Sequence, residues 1–214
     1  MEKLPEIPKG IELIFPYNNP GPQKIIQSFY QKFYQDTEQR SLILGINPGR
    51  HGAGTTGIPF TDGKRLFNYC EIEPDNLSHE PSSEFVYETI EAYGGVNKFY
   101  KDFFISSVSP LGFTKNGKNL NYYDDSVFQK SLKPYISYQL LRLLDMPLQL
   151  NHIICWGEGK NYAYLKQLNS ELSIFGTIKA LAHPRFIIQY KRKHIREYIK
   201  IYVDAFHEIT LTKH

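Results

Sequence analysis

The sequence predicts a three-layer α/β/α sandwich around a central four-stranded, mostly parallel sheet, and three observations carry that expectation. Short apolar runs alternate along the chain with segments of helical period, the order that yields parallel strands joined by crossover helices. The run at Ser41–Ile46 is apolar almost without alternation, as in a strand covered on both faces. No linker or internal repeat divides the 214 residues, so one domain over 1–214 is expected, long enough to bury roughly 70% of its unfolded surface.

Each element has its own reason. Residues 1–21 close with the turn formers Pro16-Tyr17-Asn18-Asn19-Pro20-Gly21 and are expected to run over the surface as an N-terminal segment. Pro22 suits a first helical turn, and Ile25, Ile26, Phe29 and Phe33 recur at helical spacing, which predicts a helix to about Tyr34. The strand Ser41–Ile46 follows, then a glycine-dense loop from Asn47 to Asp62. Helical stretches lie around Lys64–Cys70 and Ser82–Tyr93, the second stopped by Gly94-Gly95. The cycle repeats with a strand at Phe103–Val108, a loop over Ser109–Asn121, and helical segments from Asp124 to Leu144, interrupted or begun anew at Pro134. His152–Trp156 is the third strand, and Gly157-Glu158-Gly159 leads from it into a helix over Lys160–Leu168. Ile178–Ala182 is the fourth strand, and a helix from about Tyr190 to Phe206 closes the fold.

Composition removes several function classes. Two cysteines, Cys70 and Cys155, cannot build a disulfide framework, a four-cysteine zinc site or a cysteine-ligated iron–sulfur cluster, which fits a reducing cytoplasm. The N-terminus has no apolar signal region, and no stretch approaches 18 uninterrupted apolar residues, so neither export by that route nor membrane association is expected. Net charge is +3, too small by itself to announce a polyanion partner, so its distribution matters more than its sum.

Ligands of open α/β sheets bind beyond the carboxyl ends of the strands, so Asn47–Asp62, Ser109–Asn121 and His183–Gln189 should converge on one crevice. The first holds four glycines, at 49, 52, 54 and 57, whose exposed N–H groups suit an anion or a planar base. Gly52 to Gly57 spells a dinucleotide fingerprint, yet it starts six residues past Ile46 and leads into Ile58-Pro59-Phe60 instead of a helix. A phosphate loop is ruled against by Thr55, which stands where its lysine belongs. Asn47 and His183 each stand before a proline at a strand's carboxyl end. Asn47 also reads as a turn former and Phe60 as a core aromatic; their placement favours a site.

Gly45-Ile46-Asn47-Pro48-Gly49, followed eight residues on by Gly57-Ile58-Pro59-Phe60, resembles the first motif of the uracil-DNA glycosylase superfamily in its single-strand-selective monofunctional (SMUG-type) form. Ser109-Pro110-Leu111 with Asn116-Gly117-Lys118-Asn119-Leu120 is similar to that branch's middle segment, and His183-Pro184-Arg185 to a shortened C-terminal motif. The likeness covers roughly residues 40 to 200, and the shared order of the three motifs carries it.

The resemblance implies the fold of that superfamily and a monofunctional DNA glycosylase for deaminated bases such as uracil, xanthine, hypoxanthine or 5-hydroxymethyluracil, with no cofactor and no metal. It implies that Asn47 positions the attacking water, that His183 stabilises charge on the departing base, and that Phe60 stacks on that base. Ile46, Gly49, Ser107 and Asn119 are implied to line the base pocket. Gly49 stands where better-known uracil enzymes carry a tyrosine that rejects the thymine methyl, so a roomier pocket is expected. Ser107 replaces an asparagine that reads the base edge, offering one hydroxyl for a donor and acceptor pair. That difference points to a second bacterial branch with wider base selectivity, or to a nucleic-acid-binding protein that kept the fold with weak or no activity. The partner implied is DNA holding a damaged base, met by a monomer in a bacterial cytoplasm near the nucleoid.

Lys179, Arg185, Lys191, Arg192, Lys193, Arg196 and Lys200 stand against one acid, Glu197, between 179 and 200. With Phe186 and Tyr190 interleaved, this is the mixture of cations and wedges used to grip DNA. A solvated helix face is the ordinary alternative; proximity to His183 favours DNA. The resemblance assigns duplex insertion to Arg185 and Phe186 in a loop, and phosphate contact to Lys191 and Arg192.

Overall fold

Period-two burial explains why the first predicted strand lacks polar interruptions. Leu42 and Leu44 enter one hydrophobic cluster and Ile43 enters the other, and all are fully buried. The computed structural model describes residues 4–211. Along the chain the elements are β1 (Ile11–Ile14), α1 (Pro20–Phe33), β2 (Arg40–Gly45), α2 (Ala53–Thr56), α3 (Gly63–Cys70), α4 (Pro81–Tyr93), α5 (Val96–Asp102) and β3 (Phe103–Ser107). They continue with β4 (Gly112–Lys115), β5 (Lys118–Leu120), α6 (Ser126–Leu141), β6 (Leu148–Trp156), α7 (Lys160–Leu172), β7 (Thr177–Leu181), α8 (Pro184–Tyr190) and α9 (Ile195–Leu211).

The central sheet has the order β3-β2-β6-β7 with every pairing parallel. Residues from α1, α3, α4, α5, α8 and α9 cover one face, and α6, α7 and the second sheet cover the other, which is the predicted three-layer sandwich. Arg40 opens β2 as a buried cation. Its guanidinium donates to both Asp36 carboxylate oxygens at 2.7 and 2.9 Å and to the Phe33 and Tyr100 carbonyls. That pairing holds the exposed Asp36 at about 2, below its ordinary value, the side-chain bond to Arg40 being the main cause.

Several expectations need correction. The loop over Ser109–Asn121 contains a hairpin, β4 and β5, turned by Asn116 and Gly117 at φ of 51° and 68°. Asn-Gly is the strongest short hairpin signal in a sequence, and Asn116-Gly117 makes this turn. β1, within the segment expected to run over the surface, pairs antiparallel with β4 and completes a three-stranded sheet. Its Ile11 and Leu13 pack against the second cluster.

Pro134 neither breaks nor restarts the helix; it lies on the exposed side of α6, away from the buried stripe. The buried stripe Phe128, Leu132, Ile136, Leu140 continues past it. The segment expected as a loop over His183–Gln189 is the helix α8, capped by His183. Consequently the closing helix begins at Ile195, not near Tyr190. Among the described residues no helix is long and apolar enough to cross a membrane.

Candidate active site

The carboxyl ends of β2, β3 and β7 open into a cavity of about 310 Å³. It gathers Ile46, Asn47, Gly49, Phe60, Ser107, Asn119 and His183, seven of the residues singled out in the sequence. Arg185 and Phe186 stand on its rim on α8. Lys191 and Arg192 follow α8 and do not line it.

Asn47 is locked in place. Its Oδ1 accepts from the Tyr122 N–H at 3.2 Å, and its Nδ2 donates to the Leu120 and Pro48 carbonyls at 3.3 Å each. These bonds fix which end of the amide is oxygen, leaving one lone pair of Oδ1 for a further donor such as water. The β4–β5 hairpin, and not the strand β2 alone, therefore aims Asn47.

Phe60 is held against the strand end. Its backbone lies in the left-handed region at φ 54°, a conformation costing a non-glycine residue roughly 1–2 kcal/mol. Thr56 ties the turn: its hydroxyl donates to the Thr61 carbonyl at 2.6 Å and accepts from the Ile58 N–H at 3.1 Å. The Phe60 ring meets Trp156 edge to face at 4.7 Å between centroids and lies 5.7 Å from the His183 ring. Gly45 makes room for it, since a Cβ there would sit 2.5 Å from the ring. The glycine of the first motif is thus a packing requirement.

His183 is the N-cap of α8, and its Nδ1 accepts from the Arg185 N–H at 3.1 Å. That bond leaves the proton of the neutral ring on Nε2. Burial first, and the Arg185 charge second, lower its pKa from 6.5 to about 4, so the ring is neutral near pH 7. A neutral Nε2–H is a hydrogen-bond donor suited to an oxygen that gains negative charge.

The basic stretch is partly neutralised. Arg192 donates to Glu84 of α4 at 3.1 Å, Lys200 to Asp204 at 2.6 Å, and Lys179 pairs with Glu208. Exposed pairs of this kind are worth about 0.2–1 kcal/mol, too little to hold Arg192 from a phosphate. On α8, Phe186 and Tyr190 form an exposed ring pair with centroids 5.4 Å apart.

Glu80 was missed. It enters the cavity wall from just before α4, with Ser82 beside it. An isolated acid before a proline carries no distinctive spacing, so only the fold reveals it. Among the described residues no group of three or more histidine, cysteine or acidic side chains could hold a metal ion.

A parallel sheet between helical layers, with a cavity at the carboxyl ends of its strands, is the frame in which the family comparison falls. A family model described as the Uracil DNA glycosylase superfamily matches residues 31–207, and the chain belongs to that superfamily. Among solved structures it is similar to wild-type SMUG2 of Pedobacter heparinus, at 42% identity and a TM-score of 0.94, over 98% of this chain and 93% of that one. A curated relative, a type-5 uracil-DNA glycosylase of Thermus thermophilus, is 41% identical over 51 residues, 23% of this chain. The chain thus spans 23% of the length of that relative.

Proposed function

We propose that the protein is a monofunctional DNA glycosylase that hydrolyses the bond between a deaminated base and its deoxyribose. The observation that carries the reading is the meeting, in one cavity, of a locked Asn47, the Phe60 ring and a neutral His183 donor. A base inside a duplex is out of reach and must swing into such a pocket, at a cost of a few kcal/mol. Phe60 offers a face for it to stack on.

Water held on the free lone pair of Asn47 Oδ1 attacks C1′ as the bond from C1′ to the base nitrogen breaks. The bonding pair leaves with the base, and the His183 Nε2–H donates to the base oxygen where that charge collects. The proton released by the attacking water ends on the departed base. Asn47 orients water but is a weak base, and it has no amine with which to form a Schiff base, so the reaction is hydrolysis. Ser107 lines the pocket where a stricter enzyme would offer an amide, which supports a base range wider than uracil.

The test is release of uracil, xanthine, hypoxanthine or 5-hydroxymethyluracil from oligonucleotides, read by alkaline cleavage of the abasic product without added metal. Cleavage that depends on the modified base is expected. Intact DNA binding with no release of any base would leave a nucleic-acid-binding protein on the same fold.

A further inference from the structure

Glu80 contributes the single carboxyl group among the side chains that line the cavity. The seat for that carboxyl is made by two glycines of the loop after β2. A Cβ on Gly49 would lie 2.8 Å from Glu80 Oε1, and one on Gly52 would lie closer still to Oε2. Any other residue at either position would displace the acid. The approach is also fixed from the backbone, because the Glu80 N–H donates at 2.6 Å to Asp62, whose carboxylate caps α3.

A donor stands beside this acceptor. Asn119 Oδ1 accepts from the Arg50 N–H at 3.2 Å, so its amide is turned with Nδ2 toward Gly49, 3.2 Å from the Cβ position of that glycine. The wall at Gly49 therefore presents a carboxyl oxygen and an amide N–H side by side. Phe60, Ile46 and Pro48 offer a guest no side-chain acceptor at all.

We infer that Glu80 is a specificity-determining residue, accepting a hydrogen bond from an O–H or N–H donor carried by the base and so favouring bases that bear such a group over those with a methyl in its place. The inference rests on the reading of this cavity as the seat of a flipped base. Burial, the main influence, raises the Glu80 pKa, and Asp62 adds to it, while Ser82 and Arg185 pull the other way. The Ser82 hydroxyl already bonds the carboxyl, and its remaining lone pairs, largely desolvated, gain from a donor that a ligand brings.

The probe pair is 5-hydroxymethyluracil and thymine, which differ at one position by a hydroxyl. Two readouts are needed: base release, and affinity for duplexes carrying the same bases on 2′-fluoroarabinose, whose fluorine opposes positive charge at C1′ and blocks cleavage. In the wild type the hydroxymethyl base should be preferred by about ten- to a hundredfold. Glu80→Met should abolish the preference by lowering release of, and affinity for, the hydroxymethyl base more than those for thymine, and Glu80→Gln, which keeps a carbonyl oxygen, should restore part of it.

A wild type that treats the two bases alike overturns the inference, and this arm needs no variant to fold. Equal loss on every base in Glu80→Met also overturns it, because the residue would then serve the fold or the chemistry alone. If no base is released but the affinity preference exists and vanishes in Glu80→Met, the glycosylase reading fails and the role of Glu80 stands.

Discussion

The two walls of the cavity are built on opposite plans. On the β2 side, Asn47 is fixed by three hydrogen bonds and Phe60 by a tied turn and by contact with Trp156. On the α8 side, Arg185, Phe186 and Tyr190 are exposed, and beyond the cavity Arg192 makes a surface ion pair with Glu84. The proposed function accounts for the contrast: orienting water at one carbon would tolerate little error, whereas gripping DNA would require groups that adapt to it. His183 joins the two, since it caps α8 while its ring lies near Phe60.

Changes on the locked side should strike turnover, and changes on α8 should strike binding. After Asn47, the largest effect is expected at His183: on the proposed function alanine there removes the donor to the leaving base and should slow single-turnover release about 10²- to 10³-fold. Phe60→Ala should cost about ten- to a hundredfold, the worth of one stacked base, and should do so on single strands as well as duplexes. Phe186→Ala is expected to weaken release from duplexes more than from single strands, which need no wedge. Equal loss on both would move Phe186 from the gripping side to the positioning side. The smallest effect belongs to Lys191→Ala, which should weaken binding evenly across sequences and lower the salt dependence by about one counterion.

His183 also predicts how stability depends on pH. Its folded value of about 4 lies below the ordinary 6.5, so the unfolded chain takes up a proton that the folded ring refuses. This contribution is constant above about 6.5 and is lost as pH falls from there toward 4. Thermal melts should show a fall in stability across that window that is smaller in His183→Gln. An unchanged slope would place the titration elsewhere.

The central sheet was legible because strands buried on both faces read as plain apolar runs, and Leu42-Ile43-Leu44 is one. The small sheet was not, since its strands are only three or four residues long and β1 pairs with β4 across about a hundred residues, as in Ile14 with Gly112; the local β4–β5 hairpin carried its signal in Asn116-Gly117 alone. Asn47 and His183 stood out because each stands before a proline at a strand's carboxyl end, inside a motif that resembles the superfamily's. What holds them was hidden: the Tyr122 N–H and Leu120 carbonyl on Asn47 are tertiary backbone contacts that side-chain identities do not encode. The helix α8 reads as a loop in the sequence because its seven residues are too few to show a period.

The account turns on Asn47 acting on water rather than merely shaping a turn. Single-turnover release of uracil by Asn47→Ala, measured with the DNA affinity of the same variant, tests this most directly. A loss of about 10²- to 10⁴-fold with affinity retained is the predicted result. Release at the wild-type rate, with the variant folded and bound, would contradict it.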